Sequence, residues 1–196
     1  MDIKQITDSA TAAAYVREAG FSAIKLAVTD IDGILRGKYV SQEKFLSALD
    51  KGFGFCDVIF GWDSSDELYG DDSFTGWQRA FPDAWAHIDP GSCRALPSED
   101  MQSVLFLADF AEDSAASVCP RAVLKRVLKR LADHGLTATA AAEFEFFMFQ
   151  ESPDSIRDKG YRHLQNMTPG AFGYSVLRNS THADLYHQIL ETCQRM

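Results

Sequence analysis

An α+β fold in two domains is what the sequence predicts, and three observations carry that expectation. A helical pattern over residues 2–19 is followed by two apolar runs, 23–29 and 35–40, that meet at a short Gly-containing turn. A helix followed by a β-hairpin is the mixed order of an α+β chain. Residues 111–118 are small, polar and acidic, the composition of a junction, and they divide the chain into domains of 1–112 and 113–196. Beyond the junction, the Phe-rich half of residues 140–149 reads as a buried strand.

The elements follow in order from local signals. Gly20 ends the first helix, and the strand over 23–29 reverses at Asp30-Ile31-Asp32-Gly33. Ser41 is placed to cap a helix over 42–50, which Gly52 stops. Residues 53–60 are apolar and aromatic and read as a further strand. From Gly61 to Gly76 the composition turns acidic, with glycines, serines and aromatics, and so long a loop inside a compact domain points to function. Strands are predicted near 84–88 and 103–110. Pro120 opens a helix that packs through Val123, Leu124, Val127, Leu128 and Leu131 and closes at Gly135. Thr181 and Asp184 form a capping box for a last helix, with Leu185, Ile189 and Cys193 on one face. No Gly or Pro stops that helix before Met196, so a truncated chain is expected.

With 196 residues, 46% of them hydrophobic, the chain can bury a core of its own. A net charge of −9 and an isoelectric point near 4.9 leave no basic field to gather phosphates. Neither a nucleic acid nor an anionic membrane is therefore an expected partner. The basic residues Arg121, Lys125, Arg126, Lys129 and Arg130 fall on the polar face of one predicted helix, where water is their expected surrounding. The four cysteines are scattered and form no CxxC pair, which suits reduced thiols. The polar N-terminus has no apolar signal core and no run reaches membrane-spanning length, so a soluble cytoplasmic protein is expected.

The chemistry concentrates at two glutamates. On a strand, Glu143 and Glu145 share a face about 7 Å apart. Burying two like charges side by side requires cations or strong donors, or a proton on one of them. A pair of divalent ions meets that need, and oxygen-rich sites for Mg²⁺ or Mn²⁺ are built from carboxylates. The alternative is an edge strand whose glutamates face water. A second candidate is Asp30-Ile31-Asp32-Gly33 after its apolar strand, which resembles the opening motif of haloacid dehalogenase-type phosphatases. There Asp30 would be the nucleophile and Asp32 the general acid/base, with Gly70-Asp71-Asp72 as a later metal-binding end. Those folds need several βα units between the two motifs, and forty residues do not hold them. A polar hairpin turn is the alternative.

Five motifs occur in a fixed order. Asp32-Gly33-Ile34-Leu35-Arg36-Gly37-Lys38 lies at the hairpin, and residues 55–66 cover a strand and the acidic loop. Cys119-Pro120-Arg121 opens a helix, Glu143-Phe144-Glu145-Phe146-Phe147 follows, and Pro169-Gly170 leads to Gly173-Tyr174. Together, over nearly all of the chain after residue 20, they resemble the glutamine synthetase family, in particular its γ-glutamyl-amide synthetase-like branch.

That resemblance implies an N-terminal helix plus β-grasp domain, followed by the beginning of a glutamine synthetase-type catalytic α+β domain. It implies an ATP-dependent ligase that phosphorylates glutamate and then lets ammonia or a small amine displace phosphate. Glu143 would hold the metal on the nucleotide side and Glu145 the metal on the glutamate side. Tyr174 would match a tyrosine of the ammonium pocket, and Asp63 would handle the nitrogen nucleophile. The family's Asp-Gly-Ser-Ser order is not reproduced around Asp63, because Gly61 precedes Trp62. That departure implies a bulkier amine, or an alignment shifted toward Asp66. The family is oligomeric, with sites between subunits, and its remaining metal and phosphate ligands lie beyond the double glutamate. A chain with only these two is expected to be inactive alone, or to serve as a non-catalytic oligomerisation module.

Overall fold

A computed structural model describes residues 2–70, 73–96, 103–111, 114–170 and 173–195. The chain forms two compact units, Met1–Ala138 and Thr139–Gln194. The expected boundary at 112/113 falls outside the described residues.

In the first unit, helix α1 (Ser9–Ala19) opens with a capping box. The Asp8 carboxylate accepts from the Thr11 amide at 2.8 Å and the Thr11 hydroxyl accepts from the Asp8 amide. Gly20 closes the helix at φ 68°, a left-handed conformation that costs glycine nothing. Strands β1 (Ala23–Thr29) and β2 (Leu35–Ser41) form the expected antiparallel hairpin. The Ser41 hydroxyl accepts from the Lys44 amide and caps α2 (Gln42–Lys51). Strands β3 (Phe53–Cys56), β4 (Asp83–Ile88), β5 (Arg94–Ala95) and β6 (Val104–Phe110) complete a mixed sheet of order β2-β1-β6-β4-β3, with β5 pairing β6. The contact of β1 with β6 is parallel, whereas β4 meets both β3 and β6 antiparallel.

The core lies on one face of that sheet. Alternate residues Ile24, Leu26 and Val28 of β1 and Val104, Phe106 and Ala108 of β6 are buried, as the two-residue period of a strand requires. They pack in one cluster with Ala12 and Val16 of α1 and Phe45 and Ala48 of α2. The Phe45 and Phe106 rings meet at 4.8 Å between centroids.

Three expectations are corrected here. The strand predicted over 53–60 stops at Cys56, and Asp57–Phe60 form a 3₁₀ turn. Asp57 is buried at that turn and accepts a 2.5 Å hydrogen bond from the Thr75 hydroxyl, a long-range contact that apolar periodicity does not reveal. The basic residues of α3 (Pro120–Asp133) do not simply face water. Arg121 Nε lies 2.7 Å from Asp109 Oδ1 and its guanidinium also pairs with Asp89, while Lys125 pairs with Asp109. Arg126 donates to the Ala116 carbonyl at 2.7 Å, and Ala115 and Ala116 of the expected junction are buried. Meanwhile Val123, Leu124, Val127 and Leu128, expected to pack, are exposed. Among the described residues no helix is long and apolar enough to cross a membrane.

The second unit carries helices α4 (Pro153–Asp158), α5 (Val176–Ser180) and α6 (Ala183–Arg195). Thr181 does not cap α6 as expected; it is the C-cap of α5, and its hydroxyl donates to the Arg178 carbonyl at 2.6 Å. The stretch predicted as a buried strand also departs from expectation. Only its end is paired: the Met167 amide donates to the Met148 carbonyl and the Gln150 amide to the Gln165 carbonyl. Residues 140–147 form no strand, and Phe144 and Phe147 are 83% and 80% exposed. A strand needs neighbours to satisfy its amides and carbonyls, and none flanks these residues among those described.

Glu151 fixes the base of this unit. Its side chain is only 3% exposed and accepts from Lys159 Nζ, the Ser155 hydroxyl and the Gln165 amide, each at 2.6 Å. Lys159 first, then Ser155 and Gln165, hold its carboxyl down to about 2, against an ordinary value of 4.5. A depressed carboxyl contributes stability above its unfolded-state value and loses it as pH falls through its folded-state value. The protection of the Gln165 amide is therefore expected to be full above pH 4.5 and to disappear toward pH 2. A carbon-detected NMR titration of the Glu151 carboxyl checks this, and a midpoint near 4.5 would overturn it.

Candidate functional site

The acidic loop is held at both ends and at its tip. The Tyr69 amide donates to the Gly61 carbonyl at 2.7 Å, and Trp62 bridges Leu68. A side chain at position 61 would put a carbon 2.7 Å from Thr75 Cγ2, so this close approach requires the glycine before Trp62. Inside the loop, Asp63 Oδ1 accepts from the Ser65 amide at 2.7 Å and the Glu67 amide at 3.1 Å. Asp63 thus builds the turn with one oxygen, and no described residue donates to the other. At the tip, Asp66 has φ 63° and its carboxylate meets Arg36 of β2 at 2.8 Å.

Asp30 anchors the other end of Arg36. It is 1% exposed; Oδ1 accepts from the amides of Asp32 at 3.0 Å and Ile34 at 2.8 Å, and Oδ2 pairs with Arg36 Nε at 2.8 Å. Both oxygens are engaged, and the strand after the turn returns antiparallel to β1. Asp30 is therefore a turn and ion-pair residue, not a nucleophile, and the phosphatase reading of Asp30 and Asp32 is set aside. Asp71 and Asp72, its proposed metal-binding end, lie outside the described residues.

In the second unit Glu143 and Glu145 are exposed. Two carboxylates are the right donors for Mg²⁺ or Mn²⁺ but fall short of the six oxygens such ions take. Among the described residues no three His, Cys, Asp or Glu side chains gather into a metal site. Tyr174 is fully exposed, with φ 61°. Its neighbour Gly173 lines a cleft of about 210 Å³ with Phe146, Phe147, Asn179, His182 and Tyr186. The sequence did not mark this cleft, since its walls come from three separate stretches. Arg36 stands in the hairpin motif, but nothing in the sequence marks its two acidic partners, 6 and 30 positions away.

Residues 117–196 match the family described as glutamine synthetase, catalytic domain. The chain is 41% identical over 170 residues to the type-1 glutamine synthetase 2 of Dictyostelium discoideum, covering 86% of this chain and 32% of that protein. The chain belongs to the glutamine synthetase family. It is also 30% identical over 178 residues to a glutamate–isopropylamine ligase of a Pseudomonas species, covering 89% of this chain and 39% of that one. The solved structure of ligand-free GmaS superposes with a TM-score of 0.50 at 19% identity, covering 91% of this chain and 39% of that one, a likeness of fold. The chain thus spans about a third of the length of the curated glutamine synthetase relatives it matches. Glu143, Glu145 and Tyr174 fall inside the stretch matched by the catalytic-domain family, and Asp63 precedes it.

Proposed function

We propose that this chain supplies the amine-side loop and the first two metal ligands of an ATP-dependent ligase that joins glutamate to ammonia or a small amine through γ-glutamyl phosphate. The observation that carries this reading is Glu143-Phe144-Glu145-Phe146-Phe147 lying within the stretch matched by the glutamine synthetase catalytic domain. In the reading, residues 1–112, the part of the first unit before α3, are the family's β-grasp domain with its leading helix, a mixed sheet backed by α1 and α2. The catalytic domain begins near residue 113. The assembly is a cytoplasmic homo-oligomer whose sites lie between subunits.

Phosphoryl transfer to a carboxylate gathers negative charge, and two Mg²⁺ or Mn²⁺ ions would supply its neutralisation. Glu143 is assigned to the nucleotide side and Glu145 to the glutamate side. Asp63, with one oxygen fixed in its turn, offers the other to the incoming nitrogen of a neighbouring subunit. Tyr174 is assigned to the family's ammonium pocket. The relative named for isopropylamine, and the departure from the family's Asp-Gly-Ser-Ser order around Asp63, favour an alkylamine over ammonia.

The full translation product of the gene and the 196-residue chain are compared for phosphate release from MgATP. Release that requires both glutamate and an amine is expected from the full product. The isolated chain is expected to be silent, because two carboxylates do not complete a two-metal site. Turnover by the 196 residues alone would overturn that second expectation. Silence of both, with assembly of the chain onto a full-length relative in mass photometry, replaces the ligase reading with that of an oligomerisation module. The exposed apolar row of α3 favours association over a free monomer under either reading.

A further inference from the structure

Arg36 does more than neutralise a buried carboxylate. Its Nε meets Asp30 Oδ2 at 2.8 Å and a terminal nitrogen meets Asp66 Oδ1 at 2.8 Å. The guanidinium carbon also stands 5.1 Å from the centroid of the Trp62 ring. One planar cation therefore joins the β1–β2 turn to two points of the acidic loop that flank Asp63. The fork geometry matters, because an ammonium presents no second nitrogen at a fixed angle.

The two acids are not equivalent. Asp30 is buried and already bound to two backbone amides, so it sets where the guanidinium stands. Asp66 is 55% exposed and sits at the loop tip in a left-handed conformation that asparagine and aspartate tolerate better than most residues. Asp66 is thus the part that Arg36 catches. Trp62 adds a second hold: its indole nitrogen is buried with no hydrogen-bond partner among the described residues, which leaves the ring's stacking on Arg36 as a polar contact.

Between these two holds lies Asp63. The Asp66 amide donates back to the Asp63 carbonyl at 3.0 Å, and the Asp63 amide donates to the Glu67 carbonyl at 3.0 Å. Shifting Asp66 shifts both bonds, and with them the amides of Ser65 and Glu67 that fix Asp63 Oδ1. The direction of the remaining oxygen follows.

We propose that Arg36 is a positioning residue for the amine. By clamping Asp66 and Trp62 onto the Asp30 turn, it sets the direction in which Asp63 presents its open carboxylate oxygen to the nitrogen nucleophile. This rests on the ligase reading for the role of Asp63, but the clamp itself is measurable without it.

Arg36→Ala strips the cation from buried Asp30 and risks the fold, so the informative variants are Asp66→Asn and Arg36→Lys. The first leaves the Asp30 pair intact. The second keeps a charge beside Asp30 but cannot span both acids. Hydrogen exchange at the Ser65 and Glu67 amides is measured by NMR in the 196-residue chain. Both variants are expected to exchange about tenfold faster there, with β1 and β6 unchanged, given the modest strength of exposed ion pairs and cation–π contacts. In the full translation product, the KM for the amine is expected to rise about tenfold while that for MgATP stays within about twofold. Unchanged exchange overturns the clamp. Equal rises in both KM values overturn the positioning role, because a general loss of structure moves both. No turnover in native protein or variants overturns the ligase reading and the role of Asp63 with it, while the exchange rates still decide whether Arg36 holds the loop.

Discussion

Replacing Asp30 with alanine is expected to lower the stability of the first unit by about 3–5 kcal/mol, the cost of breaking one side of a buried, hydrogen-bonded ion pair. Three consequences combine. The amides of Asp32 and Ile34 lose their acceptor, Arg36 keeps only exposed Asp66 and the Trp62 ring, and the turn between β1 and β2 loses its internal brace. The turn's own backbone bonds, Asp30 to Ile34 at 3.0 Å and Gly33 to Asp30 at 3.2 Å, do not replace it. Asp30→Asn is expected to cost roughly half as much, since its carbonyl oxygen still accepts both amides while its NH₂ faces Arg36. The measurement is simple because all three tryptophans, Trp62, Trp77 and Trp85, belong to the first unit. Urea unfolding followed by tryptophan fluorescence therefore reports that unit alone. A loss of less than about 1 kcal/mol for Asp30→Ala would overturn the brace, being the size of an ordinary exposed pair.

Why Asp30 was legible only in part follows from what a sequence displays. The turn was visible, because Asp and Gly between two apolar runs are local signals. So were the Ser41 cap, the Gly20 stop, the Pro120 start and the mixed α and β elements of the first unit, each decided within a few residues. Long-range partners were not. Nothing beside Asp57 announces Thr75, nothing in α3 announces Asp89 and Asp109, and nothing near Arg36 announces Asp66. The double-glutamate stretch shows the opposite error. Its apolar composition states what a strand there would bury, whereas burial also needs a neighbouring strand, and residues 140–147 have none among those described. The α3 row of Val123, Leu124, Val127 and Leu128 misled in the same way. Periodicity marks a face that can be covered and is silent on what covers it.

On the proposed ligase reading, alanine at Glu143 or at Glu145 is expected to lower turnover of the full translation product at least about a hundredfold, beyond the loss that follows from disturbing only the residues behind a metal ligand. Because both side chains are exposed in this chain, neither change is expected to alter the fold of the 196 residues, so loss of activity is not confounded by loss of structure. The two variants should also differ from each other. With Glu143 on the nucleotide side, Glu143→Ala raises the KM for MgATP more than that for glutamate. With Glu145 on the other side, Glu145→Ala does the reverse. Aspartate is a sharper probe than alanine: it keeps the charge and shortens the reach by one methylene, so a ligand role predicts partial recovery at high Mn²⁺. A surface role predicts no effect from any of these changes. Binding of Mn²⁺ by the full product, followed by electron paramagnetic resonance, gives a second readout, with weaker binding expected in each variant. Turnover retained within about threefold, together with unchanged Mn²⁺ binding, returns the pair to two solvated glutamates on an exposed segment.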